Sequence, residues 1–468
     1  MATAAPSSTE LLVDFVSSIG AIELPALARQ RAQDAILDSL GVALAGLDDP
    51  AAAAARTLLE PYGAEARTVP VWGTELRAVP ASAAWANGIA VHAQDFNAFD
   101  NRAFGDSTGV LAPVVLALGE RHGVSGAAVV DAFVAGHEVA TAVGAAVGEV
   151  HYDKGHHTSG TINTLAAAAS AAVLLGLERE QIAWAVGIAN SVMPTCLQCN
   201  YGTDTKPLHV GEAAAAGIRA AGLAAAGFTA STNSLDAKPY GYLDTMGGEV
   251  ERLHSEFRTL GARWRLEEAP PTVKLFPSMA GTHASIEATL ALRERLGGTG
   301  VAARSVDEIV VWVSANTVRS ARHHDPMTGL EGKFSLEYCV ATALIEGTAG
   351  LDQFTDDAVR RPQIRELMQR VRPEYHAPYD EYVTKRVGWP GRVELRLADG
   401  ARLSEEVISP LGTPGNPASH EVIAEKFRRC AALLLDEARA DSIVKICAAL
   451  PEQSDVAVLA RLLVPEGA

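Results

Sequence analysis

The amino-acid sequence predicts a mainly α protein: a large all-helical bundle domain completed by the C-terminal helices, plus a smaller inserted α+β lid domain. Three observations carry that reading. Hydrophobic residues fill 48% of the 468 positions but aromatic ones only 6%, so the core has to be built from Ala, Leu and Val. From the start to about residue 265, Ala-rich runs follow one another with little β-branched alternation, and Ala both favours helix and lets helices approach closely. After Pro270-Pro271 strand-like alternation appears, and after the Pro/Gly-rich stretch Pro410–Pro417 the pattern returns to helix. The expected boundaries are 1–268 with 409–468 for the helical domain and 269–408 for the lid domain.

Each element has its own signal. Ser7-x-x-Glu10 ahead of Leu11, Leu12 and Phe15 is a capping box that opens the first helix. The runs Arg31–Leu47, Ala81–His92, Val110–Glu120, Gly126–Val147, Thr164–Leu175 and Gly211–Ala226 read as helices, with Gly176 and Gly227 placed as C-caps. In the inserted part, Glu308–Val313 is a strand. Arg392–Leu397, the Asp399-Gly400 turn and Arg402–Val407 make a β-hairpin. Lys333–Glu346 and Asp356–Arg370 read as helices between them, and Ser419–Leu435 and Ser442–Leu463 close the chain.

Composition bounds the partners. Thirty-nine Lys and Arg face 56 Asp and Glu, a net charge of −17, which repels phosphate backbones and anionic lipid. No nucleic acid and no membrane is expected, and an anionic substrate needs a local cluster of Lys, Arg or His. Five cysteines, an odd number, do not make a disulfide scaffold, so a reducing, cytoplasmic compartment is the simpler reading. Met1–Ser8 has neither a basic residue nor an apolar block and does not read as a signal peptide. The longest nearly charge-free stretch, Leu165–Leu177, has ~13 residues against the ~20 of a membrane span, and reads as a buried core helix.

Several chemistries lack their motifs. There is no G-x-x-x-x-G-K-[ST], no G-x-G-x-x-G after a strand and no G-x-S-x-G elbow. Cys196-Leu-Gln-Cys199 has no further ligands at zinc spacing, and His137-Glu138 reads as two plain helix positions. No metal and no organic cofactor is expected.

Four segments place His, Lys and Asp in apolar or Gly-rich surroundings. His92-Ala-Gln-Asp95-Phe96 ends a helix; Asp95 is either a proton carrier in a dry pocket or a turn residue. Gly155-His156-His157-Thr158-Ser159-Gly160 leads into a helix, whose free N–H groups and positive dipole end suit a carboxylate, with His157 as acid or base. Lys206-Pro-Leu-His209-Val-Gly211 starts another helix; Lys206 either snorkels to solvent or neutralises a bound anion. Lys274-Leu-Phe-Pro-Ser278-Met279 with Thr282-His283 opens the inserted domain.

The order of these segments resembles the MmgE/PrpD family over nearly the whole chain. His92–Phe96 looks like its H-A-x-D-F and Gly136–Val139 like its G-x-E-[VI] helix. Gly155–Gly160 is similar to its G-[FW]-H-x-T-G loop with His157 at the His position, and Lys206–Gly211 to K-P-[LF]-H-x-G. Gly227-Phe-Thr229 resembles its G-F-T, Lys274–Ser278 with His283 its K-x-[FY]-P-[SA] and distant His, and Gly415-Asn-Pro417 with Lys426-Phe427 its C-terminal pattern. Asn97-Ala98-Phe99 departs from the usual D-F-[DN]-D-T in lacking the second Asp and the Thr. Asp106 stands at the His of the usual H-P-S, and Met279 at a second His of decarboxylase-like members.

The resemblance implies cofactor-independent removal of a proton α to a carboxylate of a small di- or tricarboxylic acid. Elimination of water, as in 2-methylcitrate dehydratase, is the leading outcome. Epimerisation of an iminodisuccinate-like acid is the alternative, and cis-aconitate-type decarboxylation is disfavoured by Asp106 and Met279. Asp106 would suit a substrate with fewer carboxylates, or one carrying an amine. His157 is the preferred acid/base with Asp95 as partner or opposing proton carrier, and Lys206 and Lys274 hold and stabilise carboxylate charge. Tyr338 and His283 line the lid side, and His92, Asp106, Thr158, Ser159, His209 and Met279 complete the substrate site. The family implies a homodimer. The competing class is a non-catalytic helical binding protein, against which His157, Lys206, Lys274 and His283 argue.

Overall fold

The Ala-rich runs form helices in the computed structural model, which describes residues 5–59, 68–298 and 305–464; the reading of Met1–Ser8 therefore rests partly on residues 1–4, outside the described set. Helix α1 (Ser8–Ser18) opens with the capping box, Ser7 Oγ accepting from the Glu10 N–H and the Glu10 carboxylate from the Ser7 N–H at 2.7 Å. There follow α2 (Ala26–Ala45), α3 (Pro50–Thr57), α4 (Pro80–Ala93), α5 (Ser107–His122), α6 (Gly126–Asp153), α7 (Thr158–Leu174), α8 (Arg179–Val192) and α9 (Thr205–Ala225). Helix α7 is buried along almost its entire length and packs against α5, α6, α8 and α9. The stretch Gly126–Gly148 of α6 is long and apolar enough to cross a membrane by length and composition; its apolar window is 83% buried inside the protein, as a core helix is.

The chain divides into two compact units, Met1–Pro271 with Ser419–Ala468, and Thr272–Ala418. The second division falls after the Pro/Gly-rich loop because that loop is bonded into the inserted unit. The Val273 N–H donates to the Gly412 carbonyl at 2.9 Å, and the Leu411 N–H to Glu287 at 2.9 Å. In the first unit the returning helix His420–Ala431 packs on α2. The expected Ser442–Leu463 helix is broken into Glu437–Ala448 and Ala457–Leu463, with Pro451 in the tight turn between them. Two strands of two residues, β1 (Val69–Pro70) and β2 (Arg77–Ala78), interrupt the otherwise helical unit.

The inserted unit holds a four-stranded sheet in the order β4-β3-β5-β6, with β3 (Val306–Val313), β4 (Val371–Tyr375), β5 (Gly391–Leu397) and β6 (Arg402–Val407). The Asp399-Gly400 turn joins β5 to β6 as an antiparallel hairpin. Strand β4 pairs parallel to β3 and had no sequence signal: its V-R-P-E-Y carries a Pro and is mostly exposed, as an edge strand permits. Pro362 starts a new helix, so Asp356–Arg370 is two short helices, and the expected Lys333–Glu346 helix begins regularly at Leu336 with Ser335 as cap. The helices His283–Arg295 and Leu336–Glu346 pack together over a core that includes Ile286, Leu292, Val311, Tyr338 and Leu344.

Candidate active site

Helix packing in the first unit gathers the chemistry-bearing residues of three segments. Helices α4 and α9 cross with their backbones touching: a Cβ on Gly88 would come within 3.1 Å of Gly211 Cα, and one on Gly211 within 2.5 Å of the Trp85 carbonyl. Only glycines allow this approach. It sets His92, one turn beyond Gly88, beside Lys206 and His209, which precede Gly211. Asp106 stands immediately before α5 and His157 immediately before α7. All six of His92, Asp95, Asp106, His157, Lys206 and His209 are buried.

Hydrogen bonds link Asp95, Lys206, His92 and Asp106 in one chain, and His157 and His209 form a second bonded pair beside it. Lys206 Nζ donates to Asp95 Oδ1 and to His92 Nε2, each at 2.8 Å. With its Nε2 lone pair engaged, His92 donates from Nδ1 to Asn97 Oδ1 at 2.8 Å. Asn97 in turn donates to Asp106 Oδ1 at 3.1 Å, and Ser159 Oγ donates to Asp106 Oδ2 at 2.5 Å. Asp106 Oδ2 lies 3.8 Å from His157 Nε2 and 3.9 Å from His92 Nε2. Nδ1 of His157 and Nδ1 of His209 are 3.0 Å apart, so a single proton is shared between them. Asp95 adopts φ +52°, a left-handed conformation that strains a side chain with a Cβ and marks a turn held by its surroundings.

Burial keeps the imidazoles neutral. It holds His157 down at about 4, with Asp106 opposing the shift and Lys206 and His92 reinforcing it. Burial and then the Lys206 charge bring His92 to about 4, and burial with His157 and Lys206 brings His209 to about 3. A neutral imidazole accepts a proton, and the Lys206 ammonium beside it stabilises negative charge. His92, Asp106 and His157 also offer one ligand-type atom each, all within 4.8 Å of one another. Lys206 already stands at the His92 lone pair, so a metal ion there competes with the chain's own cation.

The other expected site residues divide by role. Thr158 donates to the Phe104 carbonyl, and Ser159 is engaged by Asp106; both hydroxyls are spent inside the protein. His137 and Glu138, read as plain positions, are fully buried anchors: His137 pairs with Asp100 at 2.9 Å and Glu138 with Arg265 at 3.1 Å. In the second unit Lys274 and His283 are buried, and His283 stands edge-on to Phe276 with ring centres 5.2 Å apart. Met279 belongs to that unit's hydrophobic core. Tyr338 belongs to it too. Its ring packs on Phe354 and its hydroxyl donates to the Gln353 carbonyl, which makes it a packing residue of the inserted unit. Burial raises the Tyr338 hydroxyl to about 12.

Two contributors were not among the expected site residues. Asn97, at the [DN] position of the family pattern, carries the link from His92 to Asp106. Tyr201 presents its ring to the Lys206 ammonium at 5.8 Å and to the edge of His157 at 5.0 Å. Cys196 and Cys199 are free thiols, and burial lifts Cys196 to about 12.

Residues 10–252 match the MmgE/PrpD N-terminal domain and residues 276–450 the MmgE/PrpD C-terminal domain. The chain is 30% identical to human cis-aconitate decarboxylase over 450 residues, covering 93% of this chain and 90% of that one. It is 26% identical to the Aspergillus terreus cis-aconitate decarboxylase, over 97% of this chain and 95% of that one. It is 23% identical to Escherichia coli 2-methylcitrate dehydratase, over 87% and 86%.

Proposed function

The chain belongs to the MmgE/PrpD family, and on that footing we propose that it is a lyase that withdraws the proton α to a carboxylate of a small di- or tricarboxylic acid and eliminates water. The observation that carries the reading is the neutral His157 imidazole, held between Asp106 and His209 in the same buried cluster as Lys206.

His157 takes the α proton as the C–H bond breaks, and the electron pair passes into the carboxylate, where the Lys206 ammonium stabilises it. A His with a proton affinity near 4 is a weak base. A substrate carboxylate beside it adds negative charge and raises that affinity as the acid binds, and Asp106 stabilises the imidazolium that forms. The electron pair then returns to form the double bond, the β C–O bond breaks, and the Asp95–Lys206 pair supplies the proton that leaves with hydroxide as water. Lys274 and His283 are assigned to carboxylate binding on the family pattern alone. We likewise propose a homodimer working in a reducing, cytoplasmic setting without metal or organic cofactor, in keeping with the five free thiols; sedimentation of the purified protein at two concentrations tests the dimer, and a single monomeric species rejects it.

Decarboxylation is the second reading, favoured by the human and Aspergillus relatives named for it. Asp106 and Met279, standing where that pattern has histidines, weigh against it. One experiment separates the outcomes: the protein is incubated with citrate-like and cis-aconitate-like acids while ultraviolet absorbance and CO₂ are followed. A rise in unsaturated product without CO₂ is expected. CO₂ release establishes the decarboxylase, and α-proton exchange with neither establishes an epimerase.

A further inference from the structure

Lys426 is an ammonium at 1% exposure in a place the proposed proton transfer does not use. It lies on the returning helix His420–Ala431. Its Nζ donates to Asp38 Oδ1 on α2 at 2.6 Å and to the Phe96 carbonyl at 2.8 Å, and stands 4.1 Å over the Phe96 ring. Phe96 is the residue between Asp95 and Asn97. Asp95 carries the strained φ and pairs with Lys206; Asn97 accepts from His92 Nδ1 and donates to Asp106. A cation from near the end of the chain thus grips the peptide between the two residues that set both links of the cluster.

Packing alone gives no reason for charge here. A buried ion pair is expensive to desolvate, and apolar residues of the same volume often serve stability as well or better. What apolar residues cannot do is donate to the Phe96 carbonyl and hold a strained turn at one position. We propose that Lys426 is a positioning residue for the proton transfer: its ammonium fixes the Asp95–Asn97 turn from the Phe96 carbonyl, and through it the Lys206 pair and the His92 tautomer. The proposal rests on the lyase reading above.

The test removes both charges at once, as Lys426→Met with Asp38→Asn, so that neither is left buried alone. Thermal stability should stay near wild type while kcat for α-proton release falls on the order of 100-fold, the loss expected of a small misplacement of catalytic groups. KM should stay within about threefold, since the lesion lies in the reacting geometry and not in uniform binding. The ¹⁵N resonance of His92 Nδ1 should move as well. A double variant with wild-type kcat and an unmoved His92 resonance makes Lys426 merely structural and overturns the proposal. Should that variant not fold, Lys426→Arg decides: a longer planar cation cannot meet both partners without shifting the turn. Its kcat should fall by more than about tenfold with KM held, and wild-type kcat overturns the proposal. If the wild-type protein turns over no acid at all, the lyase reading fails by itself, and the His92 resonance alone then decides for or against Lys426.

Discussion

Lys206 donates from Nζ to Oδ1 of Asp95 across 2.8 Å, with the two side chains only 10% and 7% exposed. Taking away one member of such a pair leaves an uncompensated charge out of water, a loss of about 3–5 kcal/mol. Lys206→Met should therefore lower the melting temperature. It should also raise the proton affinity of His92 from about 4, because the Lys206 charge is among the causes that depress it. Loss of the stabilising ammonium should cut kcat by roughly 10²–10³-fold. Calorimetry, an NMR titration of His92 and turnover check the three; a His92 still titrating near 4 contradicts the assignment.

Acid should unfold the first unit through its histidines. His92, His151 and His157 sit at about 4 and His209 at about 3, below the ordinary 6.5, chiefly because burial disfavours their charged forms. A depressed imidazole leaves its stability contribution whole above about 6.5 and loses it as pH falls through about 4. Each group adds at most about 1.4 kcal/mol per pH unit in that window. The melting temperature should fall steeply from pH 6.5 to 4, and His209→Gln should flatten the slope. An equal slope in that variant contradicts the burial of a neutral His209.

Gly160→Ala should be costly, and in a way that can be reversed. A Cβ there would lie 2.1 Å from Cys196 Sγ and 3.1 Å from Cys196 Cβ. The Cys196 carbonyl also receives the His157 N–H at 2.5 Å, so relief of the clash moves His157. The single variant should lose about 1–3 kcal/mol of stability, as overpacked cores do. Adding Cys196→Ala removes the sulfur and should restore most of it; chemical denaturation of both variants tests the pair, and no recovery shows that the clash lies elsewhere.

Tyr338→Phe should leave catalysis alone. The hydroxyl is spent on the Gln353 carbonyl inside the inserted unit, so its loss should lower stability by about 1–2 kcal/mol. Turnover should be unchanged. A collapse of kcat with stability intact would show that Tyr338 takes part in catalysis.

Segments with periodic Ala or a capping signal were legible from the residues alone, as the Ser7 capping box and the nearly all-buried α7 illustrate. Strand β4 was not, because a five-residue edge strand with a Pro has no alternation to read and exists only by pairing with β3. The cluster was legible in part for a similar reason. His92, Asn97, His157, Lys206 and Lys426 all stand in recognisable motifs, yet what Asn97 and Lys426 do depends on a partner 9 and 330 residues away in sequence. A Lys in an amphipathic helix looks the same whether it reaches solvent or a buried carbonyl. For Tyr338 the sequence shows only a Tyr near a Gly turn, while the structure shows its hydroxyl bonded to the Gln353 carbonyl.

The most direct test of the central claim is exchange of the α proton in D₂O, followed by NMR over a panel of succinate-like, citrate-like and iminodisuccinate-like acids. The wild-type protein should wash deuterium into at least one of them, and His157→Gln, folded and of similar stability, should lose that exchange. No exchange with any acid, or full exchange in His157→Gln, would contradict the account.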